Sequence, residues 1–194
     1  MANLSGFVGA LKDGGTRANQ FEVTLSDAPI SLPADFAFLC RGTSVPALTI
    51  GEVAVPYRGR QIYVSGDRTY EPWTITVMSD RTQQMRAYFE QWQNHIGDIG
   101  NRTDRTDIGQ QPARYYANAS VMQKDRNDSV LRTYHLYDVW PTTIDAVELN
   151  YETNDAVLEF GVTFRFNFMT VSGAGASTAN SSGITASITV SAGF

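Results

Sequence analysis

Apolar and polar residues alternate along much of the chain with a period of two, the mark of half-buried strands whose successive side chains point to opposite faces. Phe21, Val23 and Leu25 alternate with Glu22 and Thr24. Phe36, Phe38 and Cys40 alternate with smaller or polar neighbours, so two strands are expected on either side of a loop at Pro29 and Pro33. Residues 48–63 read as extended with interruptions at Pro56 and Gly59; Gly66-Asp67 is expected to turn the chain before Trp73, Ile75 and Val77 resume the alternation. Further strands are expected over 115–123, 131–140, 144–151 and 156–168, the last two separated by a turn at 152–155. The final strand has the cleanest pattern. Leu158, Phe160, Val162, Phe164, Phe166 and Phe168 share one face, and Glu159, Thr163, Arg165 and Asn167 the other.

One segment follows a helical period instead. Met85, Tyr88, Phe89, Trp92 and Ile96 fall on one face, predicting a helix near 81–96 opened by a capping box at Asp80-x-x-Gln83 and ended by Gly97. Leu4, Phe7, Val8 and Leu11 also recur at helical spacing, but Gly6, Gly9 and Gly14-Gly15 oppose a stable free helix, so residues 1–18 read as an arm. Residues 97–112 are polar without periodicity and read as a long loop. Between 172 and 187 every residue except Asn180 and Ile184 is Gly, Ala, Ser or Thr, the composition of a flexible extension, and 184–190 suits a strand added to another chain's sheet edge. The resulting division is an arm (1–18), a β domain (19–169) and an extension (170–194). The fold class is mainly β: an antiparallel β-sandwich or barrel with one packed α-helix.

Composition narrows what such a domain does. In 194 residues, 42% are hydrophobic and 18% charged, enough apolar content for a real core and far from the disordered regime. The 15 basic and 20 acidic residues leave a net charge of -5, and Lys12 and Lys124 are the only lysines, which argues against a general nucleic-acid coat. Cys40 is the only cysteine, so no intrachain disulfide or cysteine-built zinc site can form. No run approaches the ~20 apolar residues of a membrane helix, and Met1 to Leu11 carries no basic leader, so an unprocessed, soluble protein without membrane insertion is expected.

Residue chemistry points away from catalysis. His95 sits where a helix end favours it and His135 in a strand; no Gly-x-Ser-x-Gly elbow accompanies them. Cys40 reads as a packed thiol. Asp145, Glu148, Glu152 and Asp155 form an acidic cluster without the alternating ligands and turn glycine of a calcium loop. The run Gly173-Ala174-Gly175-Ala176-Ser177 lacks the Gly-Lys-Ser/Thr ending of a phosphate cradle. Tyr88, Phe89 and Trp92 read as the buried face of a helix and not as a base-stacking platform. No catalytic residue, metal ligand or cofactor site is assigned. A β-sandwich enzyme or ligand-binding module stays open as an alternative, requiring a concave pocket with converging polar groups.

Several ordered stretches resemble the tail-tube proteins of contractile-tailed, T-even-like phages. They are Arg17-Ala18-Asn19-Gln20-Phe21-Glu22-Val23, Val45-Pro46, the run from Val64 through Gly66-Asp67-Arg68-Thr69 and Trp73-Thr74-Ile75-Thr76-Val77-Met78 to Asp80, Phe89-Glu90-Gln91-Trp92-Gln93, and Leu136-Tyr137-Asp138-Val139-Trp140-Pro141-Thr142. The resemblance covers 17–168 and implies a structural protein. Six copies would form a ring with a continuous β-barrel lumen, and rings would stack into a tube for DNA ejection. The implied partners are other copies of the chain, the sheath, baseplate and terminator proteins, and a tape measure protein in the lumen, with genomic DNA passing without specific binding. The implied location is the virion tail, after synthesis in the host cytoplasm. Related injection machines, including type VI secretion tubes, which carry protein effectors, are the alternative within this class.

The resemblance extends the arm and segment 41–68 towards an adjacent ring. Inter-subunit candidates are therefore Leu4, Phe7, Val8, Val45, Pro46, Tyr57, Asp67 and Arg68, with Ile184 and Ile188 in the extension. Gly66-Asp67-Arg68-Thr69 reads equally as a plain hairpin turn with a local ion pair. Lumen candidates are the polar positions of the last two strands: Glu148, Asn150, Glu159, Thr163, Arg165 and Asn167. A strand with one apolar and one polar face is what a barrel wall requires, and an acidic protein avoids holding DNA through its phosphates.

Overall fold

The computed structural model describes residues 4–11, 15–97, 111–152 and 155–173. A short helix, α1 (Leu4–Ala10), precedes β1 (Phe21–Ser26), α2 (Phe36–Leu39) and β2 (Cys40–Thr43). Two long strands follow, β3 (Leu48–Tyr57) and β4 (Arg60–Tyr70), then β5 (Trp73–Met78) and the main helix α3 (Gln84–Ile96). The chain continues through a turn of 3-10 helix at Pro112–Arg114 into β6 (Ala117–Lys124), β7 (Val130–Ile144), β8 (Glu159–Arg165) and β9 (Phe168–Gly173).

Seven strands form one antiparallel sheet in the order β1-β6-β7-β8-β5-β2, with β9 also on β7. The sheet folds over at a corner. The first part of β7 pairs with β6 and β9, whereas Trp140 to Ile144 pair with β8. At the changeover Asp138 adopts a left-handed backbone (φ 58°), and the backbone N–H of Asn167 donates to the carbonyl of Tyr137 at 3.1 Å. The Asn167 side-chain amide donates to Asp138 Oδ2 at 3.0 Å. Both strands therefore bend at the same level, and two layers close on one core.

The layers meet through Val23, Leu25, Ala119, Val121 and Leu136 on one side and Ile75, Val77, Phe160, Val162 and Phe164 on the other. Helix α3 is amphipathic and buries Met85, Tyr88, Phe89 and Trp92 in this core. Phe89 meets Phe36, Phe160 and Phe164 edge-on, with centroids 5.9–6.3 Å apart. Trp92 donates through Nε1 to the carbonyl of Tyr115 at 3.0 Å, so its buried N–H is satisfied. The Tyr88 hydroxyl is buried without a hydrogen-bond partner among the described residues, and burial pushes its ionisation well above the ordinary phenol range.

The expected helix is present, but its opening differs from a capping box. Gln83 itself is the N-cap, in a left-handed conformation (φ 55°), and makes no side-chain cap bond. Asp80 works from three residues further back, accepting from the backbone N–H of Thr82 at 3.1 Å and of Met85 at 3.4 Å, and from the Thr82 hydroxyl. The Thr82 hydroxyl, followed by those N–H groups, holds the Asp80 carboxyl below the usual carboxylate range. Gly97 closes the helix as expected, donating to the carbonyl of Gln93 at 3.0 Å.

Four expected elements are placed differently. Phe36 to Cys40 is not one strand: Pro33 and Asp35 carbonyls accept from Phe36, Phe38 and Leu39, winding a single turn of helix before β2. That turn sends Phe36 inward and leaves Phe38 83% exposed. The hairpin turn falls at Arg58-Gly59 and not at Gly66-Asp67, which lies inside β4. Residues 145–151 form no strand, since Asn150 Oδ1 accepts from the Glu152 backbone at 3.0 Å and Leu149 and Tyr151 stand in solvent. Finally, the run 156–168 is broken at Phe166-Asn167, and the bend reverses the phase: Met169 and Val171 face inward on β9, while Phe168 stacks outside on Tyr137 at 4.5 Å. Strand β9 itself reaches Gly173, into the segment assigned to the extension. The expected loop over 97–112 lies, apart from its ends, outside the described residues.

Opposite faces of β8 should respond oppositely to truncation. Phe164→Ala is expected to cost about 3–5 kcal/mol in urea unfolding, whereas Arg165→Ala on the exposed face should stay within about 0.5 kcal/mol of wild type.

Candidate assembly interface

Strands β3 and β4 stand apart as a two-stranded ribbon, paired only with each other. At 3.3 Å per residue it is about 30 Å long. Its tip is a two-residue turn in which Arg58 and Gly59 both take positive φ (45° and 79°), the conformation that follows the right-handed twist of the strands. Tyr57 and Arg60 flank that turn as its hydrogen-bonded pair, so Pro56 opposite Gln61 falls on the next rung, where no ladder N–H is needed.

The register fixes which side chains share a face. Val53 pairs with Val64, Val55 with Ile62 and Tyr57 with Arg60. Five apolar side chains, Val53, Val55, Tyr57, Ile62 and Val64, therefore form a continuous strip with Arg60 at its end, and all five are 45–57% exposed. The opposite face carries Glu52, Ala54, Pro56, Gln61, Tyr63 and Ser65. None of the described residues covers the strip. An exposed apolar patch of this regularity marks a contact surface.

Two glycines bend the ribbon near its base. Gly66 and Asp67 together oppose Gly51, a bulge, and a Cβ on Gly66 would lie 3.2 Å from the Gly51 backbone. Asp67 and Arg68 sit in and beside this bulge, both exposed. Below it Tyr70 anchors the ribbon, its ring centroid 5.2 Å from that of Phe166.

The other candidates separate clearly. Leu4, Phe7 and Val8 lie on α1 with Leu11 just beyond, and no residue of the helix is buried. Val45 is exposed, but Pro46 is buried within the subunit and is not presented to a neighbour. Ile184 and Ile188 lie outside the described residues. Among the lumen candidates, Glu159, Thr163 and Arg165 share the face of β8 that points away from the core, and Asn167 sits at the corner. Glu148 and Asn150 leave that set, because the strand expected to carry them is a loop that borders a 660 Å³ open cleft with Leu149 and Tyr151.

The outward face of β8 continues onto β5, which carries none of the candidate residues. Thr74 pairs with Thr163, their hydroxyls 3.2 Å apart, and Thr76 pairs with Gly161. Glu159 is neutralised by an ion pair with Arg41 of β2. The face is thus hydroxyl-rich and carries charges of both signs: the Arg41–Glu159 pair, the Asp145 carboxylate over Gly161 and the exposed Arg165. The alternation Thr74, Thr76 against Trp73, Ile75, Val77 was the available signal; what it lacked was the knowledge that β5 and β8 are neighbours.

Cys40 is buried, and burial pushes its thiol up to about 11. The neutral thiol is inert towards nucleophilic chemistry. Histidines give no active site either: His135 Nε2 lies 3.1 Å from Ser172 Oγ on an exposed strand surface.

An antiparallel sandwich, a projecting apolar ribbon and a polar sheet face with balanced charge define a subunit built to assemble with others. A phage tail tube protein family model matches residues 12–172. The chain is 32% identical over 153 residues to the tail tube protein gp19 of Enterobacteria phage T4, covering 78% of this chain and 89% of that one. It is 29% identical over 172 residues to the tail tube protein of Serratia phage KSP90, covering 86% and 95%. In three dimensions it is similar to a chain of the anti-feeding prophage baseplate, with a TM-score of 0.61, 14% identity and coverage of 81% and 95%. A chain of the sheath–tube complex of the extracellular contractile injection system PVC matches with a TM-score of 0.60, 10% identity and coverage of 89% and 99%. The chain belongs to the phage tail tube protein family. It is a structural tube subunit and not an enzyme.

Two measurements follow from this geometry. Val55→Lys or Ile62→Lys is expected to leave the urea midpoint of the monomer within error while raising the concentration needed for self-assembly at least about tenfold, read by sedimentation. Because the folded Cys40 thiol titrates above the unfolded one, the folded state holds the extra proton between about pH 9 and 11, so its contribution to stability is full below pH 9 and lost as pH rises through 11. Unfolding followed between pH 8 and 11 should show that decline, and Cys40→Ser should reduce it, most clearly below pH 10, above which the buried Tyr88 phenol adds a decline of its own.

Proposed function

We propose that the subunit forms hexameric rings that stack into the inner tube of a contractile tail, through which genomic DNA is ejected. The observation that carries this is the ribbon: an arm about 30 Å long with an uncovered apolar strip reaches beyond the subunit's own sandwich. Segment 41–68, including Val45, Tyr57, Asp67 and Arg68, and the arm with Leu4, Phe7 and Val8 supply contacts between rings. Strands β1, β2 and β9 each have one edge without a partner among the described residues, and those edges supply hydrogen bonds within a ring. Ile184 and Ile188 belong to the same proposal, as a strand added to a neighbour.

The bore is lined by the outward face of β5 and β8. Thr74, Thr76 and Thr163 present short hydroxyl groups, Glu159 is paired with Arg41, and the Asp145 carboxylate lies over Gly161. The charges are of both signs, Asp145 and Glu159 against Arg41 and Arg165, so the wall has no one-sign field to hold a polyanion or repel it. Arg165 and Asn167 complete the face towards the corner. Sheath, baseplate and terminator proteins are the partners of the outer surface and the ends, a reading supported by the fold shared with chains of baseplate and sheath–tube complexes. A tape measure protein occupies the lumen before DNA, and the tail of the virion is the location.

Electron microscopy over a concentration series, with sedimentation velocity alongside, tests this. Rings or hollow tubes that lengthen with concentration are expected. Asp67→Ala and Arg68→Ala should weaken assembly more than monomer folding; equal losses in both would show that the bulge is only an internal support.

A further inference from the structure

We infer that helix α1 of one copy seats on the apolar strip of the ribbon of another copy, so that the two uncovered apolar surfaces of the subunit are each other's receptor. This rests on the tube reading above and names the contact that joins its rings.

The two surfaces match in chemistry. α1 has the sequence LSGFVGA, without a charged residue, and Leu4, Phe7, Val8 and Leu11 recur along one side at helical spacing. All four are 41–75% exposed. The ribbon strip holds Val53, Val55, Tyr57, Ile62 and Val64, again without a charge until Arg60 at its end. Its other face includes Glu52, and a helix laid there would strand a carboxylate. That other face also exposes Leu48, Ile50 and Tyr63, but Glu52 interrupts their row, whereas the strip from Val53 to Tyr57 runs unbroken.

The two surfaces also match in size. Seven helical residues span about 10 Å, and three alternate strand positions, Val53 to Tyr57, span about 13 Å. Gly6 and Gly9 put no side chain on α1 that would hold it away from a sheet. A seven-residue helix is not stable alone, so it needs a surface that fixes it. An interface of this kind buries roughly half of the ~800 Å² per partner of a standard complex. It is too small to hold two free subunits together and becomes effective only when repeated around a ring, where each contact is made at the effective concentration the others provide.

Two stocks test this, one carrying Phe7→Cys and the other Val55→Cys, mixed under assembly conditions and oxidised; electron microscopy of the same samples records whether tubes form. A disulfide-linked dimer of the two variants is expected in tube-forming samples, and replacing Val55→Cys by Ala54→Cys on the opposite face should abolish it. Tubes without the Phe7–Val55 cross-link, or with equal cross-linking to Ala54→Cys, would overturn the inference while leaving the tube reading intact. Hydrogen exchange on wild-type tubes guards against a variant that fails to assemble. Protection of the α1 amides in tubes over monomer by at least about tenfold is expected, and unchanged exchange there would also overturn it. A chain that stays monomeric at every concentration defeats the tube reading itself, and this inference with it.

Discussion

The architecture depends on one corner. Where β7 passes from one layer to the other, Asp138 turns the backbone into the left-handed region and Asn167 on the facing strand closes the bend with two hydrogen bonds, one from its backbone and one from its amide. Without a bend shared by both strands, a seven-stranded antiparallel sheet would present one apolar face with nothing to cover it. With it, the sheet becomes its own second layer, and α3 plugs the space that remains with four large side chains. The same bend shifts the inward positions from even numbers on β8 to odd numbers on β9, so Phe168 stacks on Tyr137 outside while Phe166 stays within.

A second division follows from the first. Once the sandwich is closed, the apolar residues of β3 and β4 have no place in it. The ribbon is tied to the body at Tyr70 and Phe166 and then leaves. The chain thus carries two separate apolar surfaces, one buried in the sandwich and one exposed along the ribbon. Its polar sheet face differs again, with short hydroxyl side chains and charges of both signs, among them the Arg41–Glu159 pair.

Much of this was legible in the sequence because the relevant rule is local. The alternations in β1, β5, β6 and β8, and the helical face of α3, follow from periods of two and 3.6. What failed needed information from elsewhere in the chain. Phe36 and Phe38 sit two apart on a single helical turn, and five residues of alternation cannot separate that from a strand. Leu149 and Tyr151 alternate correctly but have no strand beside them. The bulge at Gly66-Asp67 carries the residues of a turn, yet Gly51 on the facing strand absorbs them as an irregularity within the ladder. Of the candidate contact positions, Leu4, Phe7, Val8 and Tyr57 are exposed, while Pro46 is enclosed and Glu148 and Asn150 are off the strand. The polar face that Thr74 and Thr76 share with Thr163 is not legible in either strand alone, because it belongs to two strands that are neighbours only in the fold.

The bulge at Gly51 and Gly66 has an evolutionary consequence. It aims the ribbon through backbone geometry, with two glycines back to back, so the direction of the arm owes little to the identity of the side chains farther out. Residues 52–65 can therefore vary together with whatever surface receives them without disturbing the sandwich. A lineage can retune how firmly its subunits couple, or which subunits they accept, while the domain that carries the arm is inherited unchanged.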